Sequence, residues 1–493
     1  MSLTPATAVE TPGASGLVVT DRWTASARRK YKGLPPGWPL FAALVMFPLW
    51  WVLGLGSFVF PIFAIPMALH LMRMPYIRTP PWFFLWGMFV SWSLLGAIML
   101  NLTAPETLPQ TYADALDSFV LRSLQYLAAT VVLLYVSNLR EDELTRYRIV
   151  RWLGVLFVVT LIGGYVGLAV PGLQWKSPVE LLLPGPLAAR RGLISMVHPQ
   201  VAQIQDVIGA ANARPNAPFE FTNAWGNNLS ILITWFAIGY VLYAKGSKRW
   251  LGAAAIFAAV IPVVYSLNRG LWLGLVIGIT FVVVRLAIAG RPWLLGALGA
   301  IAVTGLLVVA VTPLGTVIQG RADNGHSDQV RASLATQAIT GAMSSPILGY
   351  GGTRETVGSD ESIAIGSTAD CPRCGNRTIG STGHIWNVMF SQGFVGLVFF
   401  VGFFLLTALR YRSDLTPIGL AGQTIVVVQL FYMFFYVGIS STLSLLMITI
   451  GLLWRNEQAR QEGIADPPIP SLLDDGSDRL APRWEKPQLG AAG

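Results

Sequence analysis

The feature that most constrains this chain is a series of apolar runs, each long enough to be matched against the roughly 30 Å hydrocarbon core of a bilayer. They lie at about residues 39–56, 57–72, 82–101, 119–137, 152–170, 228–244, 250–266, 271–288, 293–312, 387–409, 417–437 and 439–454. A chain in lipid must satisfy its own backbone N–H and C=O groups, so such runs are expected to be helical. The expected fold class is therefore all-α: a polytopic membrane protein of about twelve transmembrane helices. Residues 1–37 and 456–493 are expected to be disordered cytoplasmic tails flanking a membrane domain at 38–455. The first two runs are divided only by Gly54, Gly56 and Pro61, which fits either a tight helical hairpin or one bent span.

Composition agrees. Hydrophobic residues make up 53% of the 493 and charged residues only 12%, against about 25% charged in a typical soluble domain. That excludes a water-soluble enzyme, which needs more polar surface to cover its cores. The net charge of +9 does not call for nucleic acid as a partner, because no basic, aromatic-studded soluble domain accompanies it. Cytoplasmic loops collect Lys and Arg instead. The N-terminal stretch lacks the apolar core of a cleavable signal, and Arg28, Arg29, Lys30 and Lys32 precede the first run. With the N-terminus inside, alternate loops carry Arg73 and Arg78; Arg140, Arg146, Arg148 and Arg151; Lys245, Lys248 and Arg249; Arg285 and Arg291; Arg410 and Arg412; Arg455 and Arg460. The short loops of the other side hold one cation, Arg269.

Two external loops, about 171–227 and 313–386, are too long to be turns. The second includes a helical pattern at Ser327–Met343, then Pro346 and a Gly349-Tyr350-Gly351-Gly352 turn. No internal repeat is visible.

The unusual residues gather on that external side. Arg269, in Asn268-Arg269-Gly270-Leu271-Trp272, is either a cation snorkelling to outer headgroups or one aimed at an anionic ligand. Arg214, in Arg214-Pro215-Asn216-Ala217-Pro218-Phe219-Glu220-Phe221-Thr222-Asn223, belongs either to a ligand site or to a structural network, since polar groups entering a bilayer need partners. His384 stands in Gly383-His384-Ile385-Trp386-Asn387, just before an apolar span; it can cap a helix or act as a base held at the membrane boundary. Cys371 and Cys374 lack the further ligands of a zinc site and fit a local disulfide. The external carboxylates Asp323, Asp328, Asp360, Glu361 and Asp370 lack cation-cage spacing, so no metal is expected. A Walker phosphate loop is absent from the sequence.

Taken in chain order, three pieces resemble the O-antigen ligase and polymerase family of bacterial envelope glycosyltransferases. They are the Arg214–Asn223 stretch, the Asn268–Trp272 turn, and the long loop with Ser327-x-x-x-Arg331, Pro346–Gly351, His384-x-x-Asn387 and Gly393-x-x-Gly396. The resemblance spans about residues 150–455, the earlier spans and the tails matching only in hydropathy. It implies a GT-C type, metal-independent inverting transferase without cofactor, set in the cell membrane with its site facing the periplasm or cell exterior. Its partners would be a polyprenyl diphosphate-linked glycan donor, a glycan, lipid or protein acceptor, and membrane lipids. Carried over residue by residue, Arg214 and Arg269 hold the diphosphate and His384 activates the acceptor hydroxyl. Glu220, Asn223, Arg321, Arg331 and Asn387 are the candidate substrate-binding residues around them. The insertion between Gly352 and His384 departs from the family pattern and bears on acceptor choice. The chemistry is consistent: a departing sugar diphosphate needs fixed cations, and guanidinium offers bidentate contacts to phosphate. A polymerase of the same fold, a transporter or flippase of lipid-linked saccharides, and a non-catalytic assembly subunit are the alternatives.

Overall fold

The computed structural model describes residues 34–185, 191–206, 211–311, 326–356 and 378–464, together with 466, 467 and 469. Each apolar run is helical. The first is broken into α1 (Trp38–Val45) and α2 (Phe47–Val52), with Pro39 and Pro48 each in a first turn, where a missing N–H costs nothing. There follow α3 (Val59–Met72), α4 (Phe83–Leu95), α5 (Tyr112–Asn138) and α6 (Arg146–Ala169). The first long loop contains α7 (Pro178–Leu182), α8 (Arg191–Val197) and an antiparallel hairpin of β1 (Ala202–Asp206) and β2 (Ala211–Pro215). Beyond it lie α9 (Thr222–Phe236), α10 (Ser247–Ala258), α11 (Val260–Tyr265), α12 (Arg269–Ile288) and α13 (Trp293–Val311). The second loop supplies α14 (His326–Ser344) and the short pair β3 (Arg354–Glu355) and β4 (Thr378–Ile379). The chain then forms α15 (His384–Arg410), α16 (Pro417–Tyr432) and α17 (Ser441–Gln461).

Among the described residues, five helical segments are long and apolar enough to cross a membrane: Tyr112–Asn138, Arg146–Ala169, Ser247–Tyr265, Arg269–Ile288 and His384–Arg410. Gly56–Met72, Phe83–Met99 and Pro417–Tyr432 are shorter apolar helices. On α12, Val276, Ile279 and Ile288 are more than half exposed, an arrangement that water penalises and lipid does not. The protein is a mostly helical, membrane-embedded chain.

The first pair of runs resolves into a hairpin, α1–α2 against α3. At its tip Gly54 has φ +85, and a Cβ there would lie 2.2 Å from Ser177 Oγ and 2.6 Å from the Val197 carbonyl. Only glycine lets the tip seat against α7 and α8. The helix α15 is interrupted at Gly393 (φ 68, ψ −172), where Pro346 and Ile347 carbonyls fill the space of a side chain. One wall of the bundle is aromatic: Trp86 and Phe89 of α4, Tyr126 of α5, and Phe400, Phe403 and Phe404 of α15 interlock with centroids 4.9 to 6.3 Å apart. Such contacts add about 0.5–1.5 kcal/mol each beyond burial, and they fix the start of α15 against α5.

The tail boundary at 455 needs correction. Helix α17 continues to Gln461 because Arg455, Asn456 and Ala459 are buried. Arg455 donates to Glu141 at 2.7 Å, Arg460 pairs with Asp414 at 2.9 Å, and beyond the helix Asp466 accepts from Arg146 at 2.7 Å.

Candidate functional site

At the end of the bundle opposite these ion pairs, α9, α12, α15 and the α16–α17 link converge. Asn268 caps α12, its Oδ1 accepting the Leu271 N–H at 3.3 Å and the Tyr436 hydroxyl. Its Nδ2 donates to Asn223 Oδ1 at 3.4 Å. The turn before it holds Leu267 at φ 53, a left-handed conformation that costs a leucine about 1–2 kcal/mol. Arg214, on β2 opposite Gln203, is buried and donates from Nε to the Ser266 carbonyl of the same turn at 2.8 Å. Arg269 opens α12, half-buried and engaged in an interaction of its own. Its neighbour Gly270 lies so close to Tyr436 that a Cβ would stand 2.2 Å from the hydroxyl.

Tyr436 ties the arginines to the histidine. Burial pushes its phenol up, while Arg331 of α14 and Arg214 pull it back, so both guanidiniums lie within electrostatic reach of one hydroxyl. The phenol stays protonated at neutral pH, its one proton donated to Asn268. The Tyr436 carbonyl accepts the His384 N–H at 2.9 Å, and the Met433 carbonyl accepts that of Ile385 at 3.0 Å. The chain can approach this closely only because residue 383 is glycine: a Cβ there would sit 2.4 Å from the Phe434 carbonyl. His384 is 2% exposed, its ring 4.6 Å from that of Phe400 and its Nε2 3.3 Å from the Tyr126 hydroxyl. It lines a small cavity of about 10 Å³, room for about one water, with Asn227, Gln429, Tyr436 and Thr442. Gln429 donates to Asn227 Oδ1 at 2.7 Å, so the floor is amide in character.

A second cationic pair lies on the α5 side. Arg122, one turn from Tyr126, is buried and donates to Ser391 Oγ at 3.2 Å. Arg354 donates to the carbonyls of Leu100 and Tyr350. Burial, and secondarily repulsion from Arg122, lowers its guanidinium to about 10, so it remains charged at neutral pH.

The structure thus brings together Arg214, Asn223, Arg331 and His384, with Arg269 at the same turn. Asn387 is placed differently: its amide donates to the Gly380 carbonyl at 3.0 Å and holds the approach to His384. Glu220 accepts from Ser440 at 2.6 Å, beside the pocket wall. Arg321, Cys371 and Cys374 lie outside the described residues, as do Asp323, Asp360, Glu361 and Asp370. Among the described residues no cluster of three His, Cys, Asp or Glu groups suited to a metal comes together. Sequence reasoning did not single out Tyr126, Asn227, Gln429 or Tyr436. Gln429 stands inside an apolar run and Asn227 at the edge of one, and both could have been found by that contrast; the tyrosines carry no such signal. No family model, curated protein or solved structure matches the chain.

Proposed function

We propose that the chain is a membrane glycosyltransferase of about twelve spans and GT-C type, moving a glycan from a polyprenyl diphosphate carrier to an acceptor hydroxyl. The His384 end would face the periplasm or cell exterior, as the distribution of Lys and Arg among the loops requires. The observation that carries this reading is the pocket lined by both His384 and Tyr436, whose hydroxyl lies in the field of Arg331 and Arg214. Displacement of a sugar diphosphate demands a base and fixed cations near one another; here the base lines the cavity and the cations act on the tyrosine beside it.

In the proposed step the acceptor O–H loses its proton to the imidazole as its oxygen attacks the anomeric carbon. The bond from that carbon to the diphosphate oxygen breaks, and the carrier diphosphate leaves with the electron pair. Arg214, Arg269 and Arg331 take up the charge that develops, with Tyr436 held beside them by Asn268. Protonation of His384 on Nε2, donating to Tyr126 Oη, leaves Nδ1 as the basic nitrogen. Transfer to a lipid or protein anchor makes the enzyme a ligase of O-antigen type; transfer to another carrier-linked unit makes it a polymerase of the same fold.

One observation favours a transporter of lipid-linked saccharides: the amide-lined floor formed by Asn227 and Gln429 lies between helices, where a polar path would run. Purified protein given a polyprenyl diphosphate-linked glycan and candidate acceptors separates the two. The transferase releases carrier diphosphate and forms glycosylated acceptor, with the same rate in chelator; a transporter leaves the glycosyl-diphosphate bond intact.

A further inference from the structure

His384 engages another side chain through one ring nitrogen only: Nε2 meets Tyr126, and Nδ1 has no hydrogen-bond partner among the described residues. Three further polar atoms around the same small cavity share that condition. Asn227 Nδ2, Gln429 Oε1 and Thr442 Oγ1 have no partner among the described residues, although none of these side chains is more than 3% exposed. None of the four atoms is sealed off from all free space, and for side chains this buried the free space is the cavity they share. Gly438 lines it too: a Cβ there would come within 3.2 Å of Thr442 Cγ2 and 3.3 Å of Asn227 Nδ2, which places both side chains around one spot.

Size and lining together decide what fits. The volume of about 10 Å³ admits one water and excludes a phosphate or a sugar ring. Asn227 Nδ2 only donates, Gln429 Oε1 and an unprotonated Nδ1 only accept, and the Thr442 hydroxyl does either. A water matches all four, accepting from Asn227 and Thr442 and donating to Gln429 and Nδ1; a metal cation would face the Asn227 N–H. We propose that this cavity holds one ordered water bonded to His384 Nδ1, and that this water carries the acceptor's proton to the imidazole. The acceptor O–H bond breaks as its oxygen bonds to the anomeric carbon, and the carrier diphosphate leaves with the electron pair. The water takes that proton and gives one of its own to Nδ1, so it is regenerated unchanged. Asn227, Gln429 and Thr442 are positioning residues for it. The relay rests on the transferase reading; the water site does not.

Pulsed X-ray radiolysis of the purified full chain in detergent tests the water site, because hydroxyl radicals born from a bound water oxidise the side chains around it. Met433 lines the cavity and is 5% exposed; Met389, at 4%, is the matched reference. Met433 is expected to oxidise faster than Met389, and Gly438→Ala, whose methyl takes the water's place, should abolish the excess with a native melting profile. The same variant should lower kcat by about 10²-fold with KM for the carrier unchanged, and Thr442→Val by about fivefold, the scale of one neutral hydrogen bond. Equal oxidation of Met433 and Met389 in the wild type overturns the water site and needs no variant to fold. Full turnover in a Gly438→Ala protein that has lost the excess oxidation overturns the relay and leaves the transferase standing. Excess oxidation lost in Gly438→Ala, in a chain that transfers no glycan, supports the water site and counts against the transferase alone.

Discussion

Gly270→Ala is the most informative single substitution, because the structure sets the size of its effect. The added methyl would meet Tyr436 Oη at 2.2 Å and Cζ at 2.8 Å, whereas real contacts of this kind stay at or above 3.0 Å. Tyr436 is 4% exposed and packs on Tyr432 with ring centroids 5.0 Å apart, so its ring has little room to retreat. Overpacking of this kind costs about 1–3 kcal/mol, and displacing the hydroxyl from Asn268 adds about 1 kcal/mol. Alanine recovers about 0.5–1 kcal/mol of helix propensity at this position, so the net loss should be about 1–3 kcal/mol. Tyr436→Phe removes only the hydroxyl and should cost about 1–1.5 kcal/mol. In the double variant the shortest contact relaxes from 2.2 to 2.8 Å, still below 3.0 Å, so the clash eases without vanishing. The two changes should couple by about 1 kcal/mol, the hydroxyl's lost bond being counted once in the double variant. Denaturant titration of the four proteins in one detergent measures this. Additivity within about 0.5 kcal/mol would refute the close approach of the α12 start to Tyr436 on which the site depends.

Arg214→Ala and Arg331→Ala should each raise the dissociation constant of a polyprenyl diphosphate by about 10- to 100-fold, from about 1.5–3 kcal/mol per lost charge-assisted contact; equilibrium binding reads this directly. Arg269→Lys should recover only part of the loss in Arg269→Ala, since an ammonium does not reproduce the planar fork. Gly54→Ala should lower the unfolding midpoint markedly, because its φ of +85 and the 2.2 Å approach of Ser177 both exclude a side chain; a native midpoint would contradict the seating of the hairpin tip. With Cys371 and Cys374 replaced by Ser, a single cysteine at the exposed Ser381 should react with an impermeant reagent in intact cells, and one at the exposed Ser413 only after lysis.

The helical runs were legible because the rules that govern them are local: an apolar stretch in lipid has to satisfy its own backbone, and each of the twelve stretches is helical. Boundaries were less legible where packing overrode hydropathy. Helix α9 begins at Thr222 rather than 228, its buried polar residues Thr222, Asn227 and Asn228 each hydrogen-bonded to a neighbour, and α17 is prolonged by buried Arg455 and Asn456. Arg214 and His384 stood out as polar residues beside apolar spans, and Arg331 came in through the Ser327-x-x-x-Arg331 piece of the resemblance. Tyr436 did not stand out, because its importance comes from where Gly270, Asn268 and His384 meet it, three contacts with residues up to 168 positions away. Asn387 lies one turn from His384, its Nδ2 engaged with the Gly380 carbonyl and its buried Oδ1 left without a partner.

The central claim, that His384 moves the acceptor proton while the arginines hold the carrier, is tested most directly by measuring transfer rate and carrier affinity on the same preparation of His384→Ala. The account predicts a rate lower by about 10² to 10⁴ with carrier affinity unchanged. Wild-type turnover in His384→Ala would remove the proposed base and contradict the account.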